Sequence, residues 1–206
     1  MNTDLFTQLT DLTRVDLPDS DIVIRQYLDL PCGTRQAFKS ILQDTPWRAE
    51  EVFVWGKRHL QPRLVAWYGD PGKSYHYSGV RLNPLPWTEL LLEIKESVER
   101  VAEYRFNSVL LNLYRNGNDS MGMHSDDEAS IGNTPTIASY SLGGERTLVF
   151  KHRTRKDIKA IPLVLSEGNL LIMRGVTQKF WLHGINKTTK KVSPRVNLTF
   201  RDICSS

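Results

Sequence analysis

The hydrophobic pattern of the chain changes its period close to residue 106. In the segment PWTELLLEIKESVERVAEY, residues 86–104, apolar side chains recur every three or four positions, at Leu91, Ile94, Val98 and Val101. This spacing places them on one face of a helix, and Pro86 is suited to the first helical turn. The segment therefore predicts a helix with one buried face.

The N-terminal third carries weaker signals of the same kind. The run DIVIRQYLDL, residues 21–30, predicts an early strand. The segment TRQAFKSILQ, residues 34–43, follows a proline and a glycine that break regular structure, and it predicts a helix. Its buried side chains would be Phe38, Ile41 and Leu42.

After residue 106 the pattern alternates or stays apolar over short runs between Gly, Asn, Pro and Ser. These runs are, in chain order, SVLLNLY, TIASYSL, RTLVFK, IPLVL, NLLIM and RVNLTFR. Many short strands separated by turn residues are typical of a sandwich, barrel or jelly roll. The basic run KHRTRKDIK, residues 151–159, predicts a hairpin loop between two strands, and its composition fits a solvated surface as well as a binding surface. The sequence thus predicts a mainly β fold with flanking helices.

The last of these runs, residues 195–201, has one entirely polar face. In a strand, Val196, Leu198 and Phe200 share one side, and the opposite side carries Arg195, Asn197, Thr199 and Arg201. Burying an arginine without a partner costs several kcal/mol, so the strand either lies at a solvated edge or faces an acidic ligand. The run SVLLNLY repeats the pattern, because Asn112 and Tyr114 share a face with Leu110.

Candidate chemistry is concentrated in the segment MHSDDE. In an extended chain His124 and Asp126 point to the same side, which allows both to reach one ion. A third ligand would come from the other histidines, among which His183 lies between strand-like runs in FWLHGI. Two histidines and one carboxylate form the facial triad of Fe(II) oxygenases, in which three metal positions stay open. On the residues alone, a solvated acidic loop and a packed core histidine remain open as alternatives.

Composition narrows the class of protein only in part. The 206 residues suffice for one domain, and the sequence contains no run of about 18 apolar residues, the length needed to span a membrane. The first residues lack the basic cap and apolar stretch of a secretory signal, so we expect a cytoplasmic protein, or a nuclear one in a eukaryote. Cys32 and Cys204 form no C-x-x-C pair, so we expect free thiols. A net charge of +4 is compatible with a polyanionic partner without identifying one, and we expect a monomer.

A set of motifs resembles the AlkB family of Fe(II)- and 2-oxoglutarate-dependent nucleic-acid demethylases. The motifs are NLYRNGNDSMGMHSDDE, SYSLGGERTLVFKH, EGNLLIMRG, WLHGI and SPRVNLTFR, in the order of the family. The upstream segment PRLVAWYGDPGKSYHYSG is most similar to the branch that repairs alkylated duplex DNA. The resemblance runs from about Pro62 to Ile203, and the first sixty residues are less diagnostic.

The resemblance implies a metal site and a cosubstrate site. His124, Asp126 and His183 would bind Fe(II). Arg195 would pair with the distal carboxylate of 2-oxoglutarate, because a guanidinium matches a planar carboxylate with two parallel hydrogen bonds. Its helpers in this role would be Asn112, Tyr114, Thr199 and Arg201. With O2, the reaction would oxidise an N-alkyl group on a base, and succinate, CO2 and formaldehyde would be released.

The resemblance also implies residues that recognise the substrate. A flipped base would lie between Tyr77 and His124, with Tyr75, His76 and Ser78 lining the same pocket. Asp127 and Glu128 would favour a cationic, alkylated base over a normal base, although both are also compatible with solvated surface acids. In the segment VFVWGKR, Trp55 would be an apolar wedge that fills the gap in the duplex, followed by Gly56 and Lys57, with burial in the core as the alternative for Trp55. Backbone contacts would come from Arg63, Lys73, Arg81 and the basic segments KHRTRK and NKTTKK.

Taken together, the resemblance implies one domain, residues 1–206, with a double-stranded β-helix (jelly-roll) core. Residues 106–203 would form the catalytic core, and residues 1–105 an N-terminal extension with helices and a nucleotide-recognition lid. The expected function is oxidative demethylation of 1-methyladenine- or 3-methylcytosine-type lesions in duplex or single-stranded DNA. The alternatives are an RNA demethylase of the same family, a non-catalytic nucleic-acid-binding module with a vestigial metal site, and a demethylase of protein side chains.

Overall fold

The computed structural model describes residues 11–54, 57–73, 75–77 and 80–204, with side chains omitted for 52–54, 57, 75–77 and 80–82. The helices are α1 (Thr34–Asp44), α2 (Glu89–Ala102) and the one-turn α3 (Thr177–Phe180). The strands are β1 (Leu12–Arg14), β2 (Asp21–Arg25), β3 (Glu51–Val54), β4 (Lys57–Leu60), β5 (Leu64–Gly69), β6 (Tyr75–Tyr77), β7 (Val80–Leu82), β8 (Ser108–Tyr114), β9 (Met121–His124), β10 (Ile137–Gly143), β11 (Arg146–His152), β12 (Ile161–Leu165), β13 (Leu170–Arg174), β14 (Trp181–Ile185) and β15 (Arg195–Arg201).

Two antiparallel sheets form the centre of the molecule. The larger sheet has the strand order β1-β2-β13-β10-β15-β8-β5, and the smaller sheet has the order β12-β11-β14-β9. Apolar residues of both sheets meet in one buried cluster, in which Ile137 and Leu171 of the larger sheet join Phe150 and Trp181 of the smaller one. Two sheets stacked over a shared core are the arrangement of a jelly roll, which confirms the predicted fold class.

The other face of the larger sheet is covered by helices. Ile41 of α1 and Leu91, Ile94 and Val98 of α2 pack with Val196, Leu198 and Phe200 of β15 in a second buried cluster. The predicted inward face of each helix is confirmed, with Phe38, Leu42 and Val101 partly buried at its margin. The apolar face of β15 therefore lies against the helices. Its polar face is directed to the space between the sheets, where the candidate site lies.

The helix predicted for residues 86–104 begins later than expected. Its N-cap is Thr88, whose hydroxyl oxygen accepts a hydrogen bond from the backbone N–H of Leu91, and Pro86 lies before the helix. A hydroxyl at this position satisfies a backbone donor that proline in the first turn cannot satisfy. The predicted strand over residues 21–30 is also shorter, because β2 ends at Arg25. By contrast, β8, β12 and β15 have the predicted bounds.

The N-terminal half is part of the main architecture. Strand β2 pairs with β13, and β5 pairs with β8, so residues before 106 form both sides of the larger sheet. The expected boundary at residue 105 therefore does not separate an extension from a core within this sheet. The hairpins β3–β4 and β6–β7 form separate two-stranded sheets, and these are the parts of the N-terminal half that fit the expected lid.

Two expectations from composition concern the chain as a whole. In the described part of the chain, no helix has the length and apolar character needed to cross a membrane. Cys32 and Cys204 are exposed, free cysteines, as expected from their positions in the sequence.

Candidate metal centre and adjoining cavities

The predicted metal ligands come from two neighbouring strands and the loop that follows one of them. His124 is the last residue of β9, and His183 is the central residue of β14. The strands pair antiparallel with these two residues directly opposite each other, which brings the centres of their rings to 4.4 Å. Asp126 follows His124 by two residues and therefore returns to the same side of the chain.

The three side chains converge on one point. Asp126 Oδ1 lies 3.9 Å from His124 Nε2, and Oδ2 lies 3.8 Å from His183 Nε2. One ligand atom from each residue lies within 4.8 Å of the other two. Two imidazoles and a carboxylate in this arrangement can bind one divalent ion and leave positions open for other ligands. The predicted convergence of Asp126 and His183 is confirmed.

The surroundings keep Asp126 and His183 in the protonation states that bind metals. Burial by itself would raise the pKa of Asp126, but the Arg201 guanidinium and the two imidazoles lower this pKa to about 2. Burial, reinforced by His124, lowers the pKa of His183 to about 4. At neutral pH the site therefore offers an ionised carboxylate and, at His183, a neutral imidazole, which are the forms that coordinate metal.

Hydrogen bonds orient two of the ligands. His124 Nδ1 lies 2.9 Å from the carbonyl oxygen of Gly122 and donates to it, which leaves Nε2 as the ligand atom. The backbone N–H of Asp126 donates to Gln178 Oε1 at 2.9 Å, so α3 fixes the loop that carries the carboxylate. Gln178 was not predicted from the sequence. A glutamine in a one-turn helix 52 residues away gives no local sign of this contact.

An inner cavity continues from the metal ligands into the space between the sheets. It is bounded by polar residues of β8, β10 and β15, namely Asn112, Tyr114, Ser139, Arg195, Asn197, Thr199 and Arg201. Asn112 and Asn197 are direct partners across β8 and β15, as are Tyr114 and Arg195. The polar faces predicted for these two strands therefore form a single surface.

Arg195 is the buried cation of the inner cavity. Its side chain is almost fully buried, and Nη2 donates to Ser141 Oγ at 2.9 Å. Its Nε and Nη1 atoms are buried and have no hydrogen-bond partner among the described residues. Burial lowers the pKa of Arg195 to about 10, so the group is still a cation at neutral pH. A buried guanidinium with two donors left over fits a carboxylate ligand such as that of 2-oxoglutarate.

Tyr114 and Thr199, which are also predicted to bind the cosubstrate, contact other residues of the inner cavity. Tyr114 is buried, its hydroxyl donates to Met121 Sδ at 3.8 Å, and its ring lies 5.5 Å from the guanidinium carbon of Arg195. Thr199 Oγ1 donates to Asn197 Oδ1 at 3.0 Å. Both residues border the inner cavity, and their role in binding a cosubstrate stays a prediction.

Arg201 has a protein partner that the sequence did not predict. Its Nη2 donates to Asp126 Oδ1 at 2.7 Å, and its predicted place beside Arg195 at the cosubstrate stays a prediction. The two arginines lie on the same face of β15 but six residues apart, so Arg201 reaches the metal ligand while Arg195 lies deeper between the sheets. Arg201 thus neutralises the carboxylate and still borders the inner cavity.

An outer cleft of about 440 Å³ opens on the other side of the metal ligands. It shares four residues with the inner cavity, namely Met121, His124, Asp126 and Arg201. The remainder of its wall includes the apolar Met123, Val65 and Trp67 and the charged Glu50, Arg63 and Glu128. Cosubstrate and substrate can therefore approach one ion from two separate spaces.

The two acids after Asp126 lie in different environments. Glu128 borders the outer cleft, as predicted. Asp127 is absent from the described residues that line this cleft, and its Oδ2 accepts a hydrogen bond from Arg153 Nη2 at 2.6 Å. Arg153 also donates to Ser125 Oγ, so the basic loop between β11 and β12 is attached to the metal loop. The predicted base-recognition role fits Glu128, whereas Asp127 is engaged by an arginine that the sequence assigned to nucleic acid.

Several of the residues predicted to bind substrate lie outside the described residues or have only their backbone described. Trp55, Gly56 and Ser78 lie outside the described residues. Lys57 begins β4, and Tyr75, His76 and Tyr77 form β6, but the description of all four stops at the backbone. Their roles stay predictions.

Two serines were missed in the sequence: Ser139, which borders the inner cavity, and Ser141, which accepts the hydrogen bond from Arg195. Ser139 and Ser141 lie on one face of β10, and Ser139 Oγ accepts a hydrogen bond from Asn197 Nδ2 at 2.7 Å. The run TIASYSL alternates polar and apolar residues just as β15 does. Applying the same alternation rule to β10 would have identified both serines.

Comparisons with known proteins agree with this site. Residues 21–201 match the family described as the 2OG-Fe(II) oxygenase superfamily. A solved structure described as that of OsALKBH1 superposes with a TM-score of 0.63 at 17% sequence identity, and the match covers 93% of this chain and 100% of that one. At this identity the likeness concerns the fold alone.

Two relatives are similar in sequence over most of the chain. Human "Alpha-ketoglutarate-dependent dioxygenase alkB homolog 3" is 36% identical over 197 residues, which are 92% of this chain and 63% of that protein. Human "DNA oxidative demethylase ALKBH2" is 40% identical over 158 residues, which are 74% of this chain and 60% of that protein. The chain thus spans less than two thirds of the length of either relative.

Proposed function

Because the chain belongs to the 2OG-Fe(II) oxygenase superfamily, we propose that it is a dioxygenase that oxidatively removes alkyl groups from damaged bases in DNA. The observation that carries this proposal is the position of the metal ligands between two cavities. The inner cavity contains a buried arginine with unused donors, and the outer cleft is large enough for a planar ligand. A cosubstrate and a base can thus meet at one ion without sharing a space.

Each residue has a defined task in this reaction. His124, Asp126 and His183 would hold Fe(II), and Arg201 keeps the carboxylate of Asp126 ionised. Arg195 would bind the distal carboxylate of 2-oxoglutarate through its unused Nε and Nη1 donors. Together, iron and 2-oxoglutarate supply the activation of O2 that oxidises the N-alkyl carbon. The remaining wall of the inner cavity includes the buried apolar residues Leu165 and Met173, which would exclude water from the cosubstrate.

The outer cleft supports an alkylated base as the substrate. Alkylation at N1 of adenine or N3 of cytosine gives the base a positive charge, and the carboxylates of Glu50 and Glu128 line the cleft. Opposite charges favour the damaged base over the neutral, normal base. The apolar Met123, Val65 and Trp67 offer surface against which a flipped base can pack.

DNA is the proposed polymer because relatives are described as DNA oxidative demethylases. Exposed cations at Lys156, Lys187 and Lys190 supply charge for the phosphate backbone. We infer that the protein acts as a monomer, in the cytoplasm or, in a eukaryote, in the nucleus. RNA and single-stranded DNA are tested as alternatives in the experiment that follows.

The experiment measures formaldehyde release and loss of the methyl group by mass spectrometry. The substrates are matched oligonucleotides with one 1-methyladenine, as DNA duplex, single-stranded DNA and RNA, with Fe(II), 2-oxoglutarate and O2. We expect turnover on DNA. The substitution Asp126→Ala should abolish this turnover. Asp44→Ala, which removes an exposed carboxylate at the end of α1, is the matched control and should retain activity.

Each outcome of this experiment selects one function. Turnover on RNA alone would change the polymer and keep the enzyme. Binding of methylated DNA with no turnover of 2-oxoglutarate would replace the enzyme with a binding module. Turnover of 2-oxoglutarate with no loss of methyl from any oligonucleotide would favour a protein substrate.

A further inference from the structure

Arg63 lies in the wall between the two cavities. Its side chain is buried, with 7% exposure, and borders the outer cleft. Its Nε donates a hydrogen bond to Asn112 Oδ1 at 2.8 Å. Asn112 is likewise buried, with 2% exposure, and borders the inner cavity. One hydrogen bond therefore connects a residue of the substrate space with a residue of the cosubstrate space.

The chemistry of arginine fixes the direction of the Asn112 amide. An amide side chain has an acceptor oxygen and a donor nitrogen of similar shape, and it can turn by half a rotation to exchange them. A guanidinium has only hydrogen-bond donors, so only the oxygen of the amide can pair with it. With Oδ1 committed to Arg63, the Nδ2 group is the one left to donate into the inner cavity. A donor is what a carboxylate ligand requires.

Backbone hydrogen bonds hold Arg63 in this position. The N–H of Arg63 donates to the carbonyl of Gln61, and the N–H of Gln61 donates to the carbonyl of Glu50, both at 2.8 Å. The carbonyl of Pro62 accepts from the N–H of Ser120 at 2.8 Å, in the loop before β9. The turn after the hairpin β3–β4 is thus attached both to the start of that hairpin and to the metal-binding strand. Such a fixed turn can define the position of a long side chain.

We propose that Arg63 is a positioning residue for the cosubstrate: it holds the amide of Asn112 with its donor directed at 2-oxoglutarate. The assignment depends on the proposed function only in taking 2-oxoglutarate as the ligand of the inner cavity. It differs from the role predicted from the sequence, in which Arg63 contacts the nucleic-acid backbone. A residue that acts only on nucleic acid would leave the affinity for free 2-oxoglutarate unchanged.

The test measures binding of 2-oxoglutarate by calorimetry in the absence of nucleic acid, with redox-inactive Mn(II) in place of iron. Arg63→Met removes the donor and frees the amide to turn. We expect its Kd for 2-oxoglutarate to rise about tenfold, which corresponds to about 1.4 kcal/mol. Lysine, like arginine, has only hydrogen-bond donors, so the Kd of Arg63→Lys for 2-oxoglutarate should stay within about threefold of the wild-type value. The difference between these variants separates orientation of the amide from simple loss of side-chain volume.

Two further variants complete the design. Asn112→Asp keeps an acceptor for Arg63 but lacks the amide donor, so its Kd should rise at least as much as that of Arg63→Met. Arg174→Met is the matched control, because Arg174 donates to the carbonyl of Ala102 at 2.7 Å and borders neither cavity. It should bind 2-oxoglutarate like the wild type. If Arg63→Met does not fold, Arg63→Gln replaces it, since glutamine can both donate and accept and no longer fixes the amide.

Steady-state kinetics provide the second readout. The positioning role predicts that Arg63→Met raises KM for 2-oxoglutarate more than it changes kcat. Wild-type affinity for 2-oxoglutarate in Arg63→Met, or an equal loss in Arg63→Lys, would overturn the assignment. A wild-type protein that binds 2-oxoglutarate with Mn(II) but releases no formaldehyde with iron would overturn the proposed function and leave this assignment intact.

Discussion

Three consecutive acids, Asp126, Asp127 and Glu128, have three different surroundings. Asp126 is buried beside Arg201 and both histidines, Asp127 pairs with Arg153, and Glu128 borders the outer cleft. Neighbouring side chains of an extended segment point in different directions, so one short run can serve a metal, a loop contact and a binding cleft. Repulsion among the three carboxylates is limited because two of them have their own arginine.

Arg201 is not a metal ligand, but its replacement should weaken metal binding. Replacing it with methionine leaves the buried carboxylate of Asp126 without its nearest cation. Partners of metal ligands typically account for about 10- to 100-fold in metal affinity, and we expect Arg201→Met to lower Mn(II) affinity by this range. Titration of Mn(II) followed by electron paramagnetic resonance measures the effect. Unchanged affinity would show that the Arg201 contact does not support the site.

At the scale of elements, the pairing of β9 with β14 brings the two histidines together. The register of this pair shifts between His183 and Ile185, so Gly184 alone lies opposite two residues of β9, Gly122 and Met123. A Cβ on Gly184 would lie 2.9 Å from the carbonyl oxygen of Met121 and 3.0 Å from that of Gly122. Because backbone atoms of β9 approach so closely, only glycine allows the strands to stay at this distance.

We therefore expect Gly184→Ala to separate β9 from β14 and to misplace His124 relative to His183. Overpacking of this kind typically costs about 1–3 kcal/mol, so Tm should fall and Mn(II) affinity should drop by about tenfold or more. Thermal unfolding and Mn(II) titration measure the two effects. Gly122→Ala is the matched control, because a Cβ there meets no atom within 4 Å. Equal behaviour of the two variants would exclude the steric explanation.

The junction between α2 and β8 depends on a buried carboxylate. Glu99 accepts a hydrogen bond from the backbone N–H of Phe106 at 2.7 Å and pairs with Arg105 and Lys95. Burial by itself would raise the pKa of Glu99, but the Phe106 N–H and the two cations together lower it below its ordinary value of 4.5. The ionised form thus fixes the turn that leads from the helix into a central strand.

This contact makes part of the stability dependent on pH. A lowered pKa in the folded state stabilises the protein above the unfolded pKa near 4.5, and the contribution is lost as the pH falls through the folded pKa. We expect Glu99→Gln to destabilise the protein by about 1–3 kcal/mol at pH 7 and by less at pH 3.5. Urea unfolding of both proteins at the two pH values measures this difference. A difference that grows on acidification would contradict the assignment.

At the scale of the whole molecule, exposed lysines should set the salt dependence of DNA binding. The loop after β14 carries the exposed residues Lys187, Lys190 and Lys191, and the N–H of Thr188 attaches this loop to Gly117 in the loop before β9. Replacing the three lysines with glutamine should weaken duplex binding and reduce the slope of log K against log salt by about 2 to 3. Fluorescence anisotropy at several salt concentrations measures the slope.

The control for this experiment removes the same charge from another surface. Arg14, Arg35 and Lys39 are exposed on β1 and α1, and α1 packs on the face of the larger sheet opposite the site. Their replacement with glutamine should leave the slope close to that of the wild type. Equal loss in both triple variants would mean that net charge, and not the position of the lysines, governs binding.

The sequence by itself determined the features that depend on local periodicity. Alternation assigned the polar face of β15, helical spacing assigned the buried face of α2, and the motifs identified His124, Asp126 and His183. The two faces follow from residues close together along the chain, because the direction of a side chain is fixed by the backbone within one turn or one strand. The metal ligands, in contrast, were implied by the resemblance of the motifs to the AlkB family.

Only the tertiary structure decided which polar groups pair with one another. Arg201 is 75 residues from Asp126, Arg63 is 49 residues from Asn112, and Arg153 is 26 residues from Asp127. These arginines were assigned from the sequence to a cosubstrate or to nucleic acid, since a cation without a visible partner indicates an anion without identifying it. The tertiary fold brings a protein partner to each of these three arginines, and it leaves Arg195 with two buried donors that have no partner among the described residues. Partner choice depends on distances across the fold, and no local pattern in a chain contains them.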